Sequence, residues 1–190
     1  VGGTIGVGYS NPGMPTWRSR LIRVTVGTTP GPGNFDSSIT NAEVHASFFR
    51  GRNVALTACS IRSSRIEAIA SVSIQSGSSV VRSYLRAPQS SLLLGVFTEN
   101  TIVSNFSTFG GSTGAGYPQT LFAGNYIQGV ATTSSGTPGV VSIQNGGTGA
   151  RLIFVNNIVH RGDSTGMSAI AERDSLADPT AVANNSFIGF

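Results

Sequence analysis

The sequence predicts an all-β fold of stacked coils, and three observations carry that prediction. Short β-branched and aromatic runs alternate with Gly, Asn and Ser along all 190 residues, the pattern of strands broken by turns. Charged residues make up only 11% of the chain while hydrophobic residues reach 39%, so there is material for a core that disordered segments lack. An apolar residue, two spacers and an asparagine return four times, as "FTEN" (97–100), "FAGN" (122–125), "FVNN" (154–157) and "VANN" (182–185).

The elements follow in chain order. Residues 1–40 read as an N-terminal strand and loop leading into the coils, and 41–190 as the stack itself. "SRLIRVTV" (19–26) is the strand, and "GTTPGPGNFDSS" (27–38) is the loop, punctuated by Pro and Gly. "FFRGRNVALTACSI" (48–61) reads as an early coil with Asn53 at the turn, although its Phe49 stands four residues before the Asn. The 47 residues from Asn53 to Asn100 leave room for one coil between them, near "SIQSGSSVVRSYL" (73–85).

From there the repeat is regular. Asn100, Asn125, Asn157 and Asn185 are 25, 32 and 28 residues apart. Phe97, Phe122, Phe154 and Val182 stand three before them; Ile102, Ile127, Val159 and Phe187 stand two after. Residues on one face of a strand recur at even intervals, so the odd interval of five demands a bend. Asn tolerates the left-handed conformation of a tight bend, and each unit reads as strand, turn at Asn, strand. The loops "STFGGSTGAGYPQ" (107–119) and "ATTSSGTPG" (131–139) absorb the unequal spacing. "VSIQSG" (72–77) and "VSIQNGG" (141–147) are strands running into glycine-rich turns.

Such periods mean a solenoid, propeller or array, and a propeller blade needs ~40–50 residues. The expectation is therefore a β-solenoid of about six coils, with parallel strands ~4.8 Å apart. Asn53, Asn100, Asn125, Asn157 and Asn185 would form a side-chain ladder at its turns. Phe97, Phe122, Phe154 and Val182, with Ile102, Ile127, Val159 and Phe187, would stack in the core.

The F-x-x-N-x-I phrase at this irregular spacing resembles the right-handed parallel β-helix proteins of the pectate-lyase-like superfamily, over about residues 41–190. It also resembles the passenger repeats of chlamydial polymorphic membrane proteins, whose companion G-G-A-[ILV] phrase survives only as "GGTI" (2–5). Enzymes of the superfamily cluster acidic or basic side chains on an outer face. Galacturonases use neighbouring Asp, and pectate lyases use Ca²⁺-binding carboxylates with an Arg base. This chain has four Asp and four Glu, and none forms the paired-Asp or Asp-Gly-His phrases.

The remaining motifs each have a plainer reading. Glu172, Asp174 and Asp178 in "AERDSLAD" fall short of the six to eight oxygens Ca²⁺ wants and read as a solvated loop or helical turn. His45 and His160 sit at no metal-ligand spacing. Counting inward from Asn53 points Cys59 into the core, a buried thiol and not a nucleophile. Arg161-Gly162-Asp163 resembles the integrin-binding tripeptide, and Gly-Asp-Ser is also turn chemistry. "NFS" (105–107) and "NNS" (184–186) fit the N-glycosylation pattern, which an Asn- and Ser-rich chain meets by chance. "TGAG" and "GGTGA" lack the Lys-Ser/Thr and frame of a phosphate loop.

There is no lysine, and the arginines are uneven: nine Arg against three acids in residues 1–86, three Arg against five acids in 87–190. "WRSRLIR" (17–23) fits an acidic polysaccharide or other polyanion, but no nucleic-acid-binding signature accompanies it, so no specific nucleic-acid partner is expected. No apolar run reaches the ~18 residues of a membrane span. Val1 in place of Met fits either processing or an artificial boundary, which leaves open a secreted protein whose leader has been removed. The expected protein is non-catalytic, without cofactor or metal, and extracellular or at the cell surface. It is a scaffold that associates head-to-tail into a fibre or forms a segment of a longer surface protein. The alternative is a carbohydrate-binding or carbohydrate-cleaving β-helix. "VGGTIGVGY" at the start and "NNSFIGF" at the end carry no charge, so Val1, Ile5, Phe187, Ile188 and Phe190 are the expected assembly contacts.

Overall fold

The computed structural model describes residues 19–26, 36–75, 77–110, 120–131, 139–145, 152–164, 167–172 and 181–190. The expected first strand divides into β1 (Ser19–Ile22) and β2 (Thr25–Val26). Next come β3 (Asp36–Thr40), β4 (Ala42–His45), β5 (Phe48–Thr57), β6 (Ser60–Arg62), β7 (Arg65–Gln75), β8 (Ser79–Val81) and β9 (Tyr84–Leu92). They are followed by β10 (Val96–Thr98), β11 (Thr101–Gly110), β12 (Thr120–Ala123), β13 (Tyr126–Gln128) and β14 (Gly139–Asn145). The last are β15 (Leu152–Val155), β16 (Ile158–His160), β17 (Ser168–Glu172), β18 (Ala181–Ala183) and β19 (Ser186–Ile188). The described chain is all-β.

These strands form two large, flat sheets, parallel throughout. One has eight strands in the order β1-β4-β6-β8-β10-β12-β15-β18. The other has eleven, with the main path β19-β16-β13-β11-β9-β7-β5-β2; β3 pairs with β5, and β14 pairs with β11 and β17. The chain alternates between the sheets, and each return lays a strand beside its predecessor. Among the described residues the smaller sheet holds eight strands. The loop expected over 27–38 ends early: Asp36, Ser37 and Ser38 belong to β3 and pair with Asn53, Val54 and Ala55. Ser37 and Ile39 are buried there, an alternation that marks a strand despite the glycines before it.

Long strands of the larger sheet carry an irregularity. Pairing shifts between Gly51 and Asn53, between Glu67 and Ser71, and between Val103 and Asn105. Such bulges bend a strand. In β5 the inward positions Phe49 and Gly51 are followed by Val54 and Leu56, an interval of three across the shift, and all four are buried.

Where the chain crosses from the smaller sheet to the larger, one residue is left-handed. Arg23, Ala46, Ser63, Arg82, Glu99, Gly124, Asn156 and Asn184 hold φ between 47° and 66°. This corrects the sequence reading, which put that conformation on the Asn of the repeat. The left-handed residue is its predecessor, and the Asn side chain turns inward. A single left-handed residue resets side-chain parity, so Phe97 and Ile102 both face the core across an odd interval.

Phe97, Phe122, Phe154, Ile102, Ile127 and Val159 are fully buried. Phe97 and Phe122 stack with ring centroids 4.6 Å apart, Phe122 and Phe154 tilt at 5.8 Å, and Phe106 joins them at 5.2 Å from Phe122. Val182 and Phe187 are in register with this stack but stand 45% and 46% exposed. Their placement in the core is corrected for a physical reason: β18 and β19 are the edge strands of the two sheets, so nothing described covers their outer side.

Candidate functional site

The most ordered chemistry in the molecule is a polar column beside the line of left-handed residues. Val24 N donates to Ser47 Oγ at 3.1 Å, Ser47 N to Ser64 Oγ at 3.2 Å, and Ser64 N to Ser83 Oγ at 3.1 Å. Ser83 N then donates to Asn100 Oδ1 at 2.9 Å. The asparagines continue it: Asn100 N to Asn125 Oδ1 at 3.0 Å, Asn125 N to Asn157 Oδ1 at 3.0 Å, and Asn157 N to Asn185 Oδ1 at 2.8 Å. Each Nδ2 of Asn100, Asn125 and Asn157 also donates to the next Oδ1, at 3.0, 2.9 and 3.0 Å. Their second amide hydrogens go to the carbonyls of Val80, Phe97 and Phe122, and Asn185 Nδ2 donates to Phe154 O at 2.9 Å.

An Asn amide offers two donors and two acceptor sites. In Asn125 all four are taken within the column, and the residue is buried. Such a column satisfies the turns between the sheets, and its buried member Asn125 keeps no donor or acceptor free.

Asn53 is not part of it, a correction to the five-member ladder. It lies within β5, where its Nδ2 donates to Asp36 Oδ1 at 2.9 Å and its Oδ1 accepts from Ser71 Oγ at 2.8 Å. The column position on that passage is Ser47. Ser47, Ser64 and Ser83 carry no signal of their own, because each hydroxyl accepts one N–H and donates to a nearby carbonyl, and nothing in a serine-rich sequence singles them out. Their separations of 17 and 19 residues, with 17 more to Asn100, were the available signal.

Cys59 is buried, its Sγ hydrogen-bonded to the carbonyls of Ile39 at 3.4 Å and Thr57 at 3.3 Å, and burial pushes the thiol up. His45 is exposed on β4 beside a surface depression of about 330 Å³ shared with Arg20, Glu43, Ser60 and Arg62. Arg20 there pairs with Glu43 at 3.0 Å. Among the described residues no three His, Cys, Asp or Glu gather as a metal would require. Asp174 and Asp178 lie outside the described residues, as do Val1 and Ile5; Glu172 ends β17.

Arg161-Gly162-Asp163 forms a tight turn clamped to the body. Ser164 N donates to Arg161 O at 3.1 Å, and Gly162 N to His160 Nδ1 at 2.9 Å. The buried Ser164 hydroxyl lies 2.9 Å from Asn105 Oδ1 and 2.8 Å from Val130 O. Gly162, at φ 57°, leaves no room for a Cβ against the Gly129 carbonyl. Of the two glycosylation patterns, Asn105 is buried with its amide bonded, while Asn184 is exposed at a left-handed turn.

Two surfaces are left. One is the edge formed by β18 and β19, where Val182, Phe187, Ile188 and Phe190 are all exposed. The other is the outward side of β5, β7 and β9, which carries Arg50, Arg52, Arg65 and Arg86 against Glu67. Arg65 lies over two rings there, its Cζ 5.9 Å from the centroid of Phe48 and 5.1 Å from that of Tyr84. No family model matches the chain, and neither any curated protein nor any solved structure matches it.

Proposed function

We propose that the chain is a right-handed parallel β-helix that serves as a non-catalytic structural protein outside the cell, and that it extends by adding coils at the β18–β19 edge. The alternation of the chain between two parallel sheets supports the helical path, since parallel strands need crossovers and these are right-handed in nearly all proteins. A single observation carries the scaffold reading. Val182, Phe187 and Ile188 stand exposed on the edge strands of both sheets, and Phe190 stands exposed just past β19. Unpaired parallel edges beside an apolar surface are templates for further strands.

The coil that covers them belongs to a second copy docked head-to-tail, or to further sequence of the same polypeptide. Head-to-tail contacts do not close, and so they grow into a fibre. The smaller sheet holds eight strands among the described residues, and these advance such a fibre by roughly 38 Å per copy at ~4.8 Å per strand. The reading is tested by electron microscopy and light scattering on residues 1–190. Fibres or concentration-dependent growth, lost when Phe187 and Ile188 are both replaced by Asp, support assembly of copies. A strictly monomeric protein at high concentration removes it. Release of reducing ends or unsaturated products from an acidic polysaccharide, abolished by one Asp or Arg substitution, would overturn the non-catalytic reading.

A further inference from the structure

We propose that Tyr84 and Tyr126 form the walls of a slot for a nucleobase, with Thr101 as its floor and Arg86 as the partner of the phosphate. The warrant begins with a slot that the protein fills itself. Phe48, Arg65 and Tyr84 are in register on β5, β7 and β9. Arg65 lies between the two rings, which sit two strands apart, about 9.6 Å at the parallel spacing. Its guanidinium is 5.9 and 5.1 Å from their centroids, so that spacing admits a planar group.

One step further along the sheet a second pair of aromatic residues stands at the same strand spacing, with neither a ring nor a guanidinium between them among the described residues. Tyr84, Thr101 and Tyr126 are in register on β9, β11 and β13. Both tyrosines face outward, since Leu85 and Ile127 beside them are fully buried, and Tyr126 is 38% exposed. Thr101 is too short to occupy the gap between them. A gap of that width between two rings suits a flat group.

Charge selects the chemistry of that group. Two residues beyond Tyr84, on the same face, Arg86 is exposed and carries no ion pair among the described residues. Its in-register neighbours on β11 and β13 are Val103 and Gln128, both uncharged; on β7 its neighbour is Glu67, whose carboxylate is already held by Arg65 at 2.8 Å. On the opposite side, Arg82 is already paired with Glu99 at 2.6 Å. A second guanidinium would meet this surplus of arginine, whereas a base joined to a phosphate would use it. Stacking planes beside free cations are how single strands are held without sequence reading. The ligand chemistry is that of a nucleoside phosphate, either free or within a single strand. The slot is on the side of the stack, away from the β18–β19 edge, so its fate is independent of the assembly proposal.

The test is fluorescence anisotropy with a labelled oligothymidylate at rising salt, using the full chain. Binding is expected at low salt and should weaken at least about fivefold in Tyr126→Ala, the lower bound for loss of one stacked base. Thr101→Trp, which fills the slot from within, should abolish binding. Arg86→Ala should make the salt dependence shallower by about 0.7 for each phosphate no longer neutralised. Circular dichroism confirms that each variant keeps its strands; Tyr126→Leu repeats the measurement if the alanine variant does not fold. Competition by thymidine monophosphate assigns the slot to free nucleotides, and competition by the polymer alone assigns it to single strands; both support the proposal. No binding at low salt overturns it. So does equal competition by inorganic polyphosphate or polygalacturonate, or unchanged affinity in both Tyr126 variants.

Discussion

Replacing Asn125 with Ala tests whether the polar column holds the stack together. The side chain makes four hydrogen bonds, each between 2.9 and 3.0 Å, to Phe97 O, Asn157 Oδ1, Asn100 N and Asn100 Nδ2. Alanine removes all four. Two donors are left without their acceptor at a buried site, the Asn100 backbone N–H and one Asn100 amide hydrogen, and Phe97 O loses a donor. A buried donor left unsatisfied costs about 1–3 kcal/mol, so the two together give about 2–6 kcal/mol. A water entering the vacated space sets the lower end. Serine is the informative second variant. At Ser64 and Ser83 the hydroxyl accepts the preceding N–H at 3.2 and 3.1 Å, so Asn125→Ser should recover that bond and lose about half as much. Urea unfolding followed by circular dichroism measures the loss. Because two long sheets built of many strands do not always unfold in one step, amide exchange at Asn100 supplies the local readout. Its protection should fall in the alanine variant and partly return in the serine variant. A loss below about 1 kcal/mol, or unchanged exchange at Asn100, would refute the reasoning.

Four further variants have expected outcomes. Phe122→Ala should cost about 3–5 kcal/mol, since the ring is fully buried among Phe97, Phe106 and Phe154; a chemical-denaturation loss under about 1 kcal/mol contradicts the stacking. Gly124→Ala should cost about 1–2 kcal/mol from the left-handed backbone alone, because a Cβ there meets nothing closer than Glu99 Cγ at 4.0 Å. Gly162→Ala should cost more, since its Cβ strikes the Gly129 carbonyl, and thermal melts that rank the pair the other way count against the clamped turn. Burial raises the Cys59 thiol above its ordinary value of 9.0. Its contribution to stability is therefore complete below that pH and is lost as pH rises through the folded value, because the unfolded thiol ionises first. A stability–pH curve above about pH 9 should be flatter in Cys59→Ala than in the parent, and identical curves would remove the effect.

The all-β class and the parallel strands follow from local features of the sequence. Short β-branched runs, glycine-rich turns and a recurring apolar residue three before Asn need no distant partner to be recognised. The regular spacing around Asn100, Asn125, Asn157 and Asn185 is of this kind, because an amide that spans neighbouring passages leaves a conspicuous residue at each one. The earlier passages are different. Ser47, Ser64 and Ser83 stand in the same column, but a hydroxyl is short, common and interchangeable with solvent, so only the hydrogen bonds of the assembled sheets identify them. Asn53 shows the converse, an Asn in an apolar run whose partners, Asp36 and Ser71, are chosen by strand register. The turn conformation was also decided outside the local sequence. Arg23, Ala46, Arg82 and Glu99 are poor candidates for positive φ, yet the strands on either side hold them there, since the stack gains more from closing its hydrogen bonds than the left-handed backbone costs. The same holds for exposure. Phe154 and Phe187 are both apolar members of the repeat, and one is sealed while the other is open. Burial in a stack depends on what lies above and below each strand, which is a property of neighbours and not of the residue.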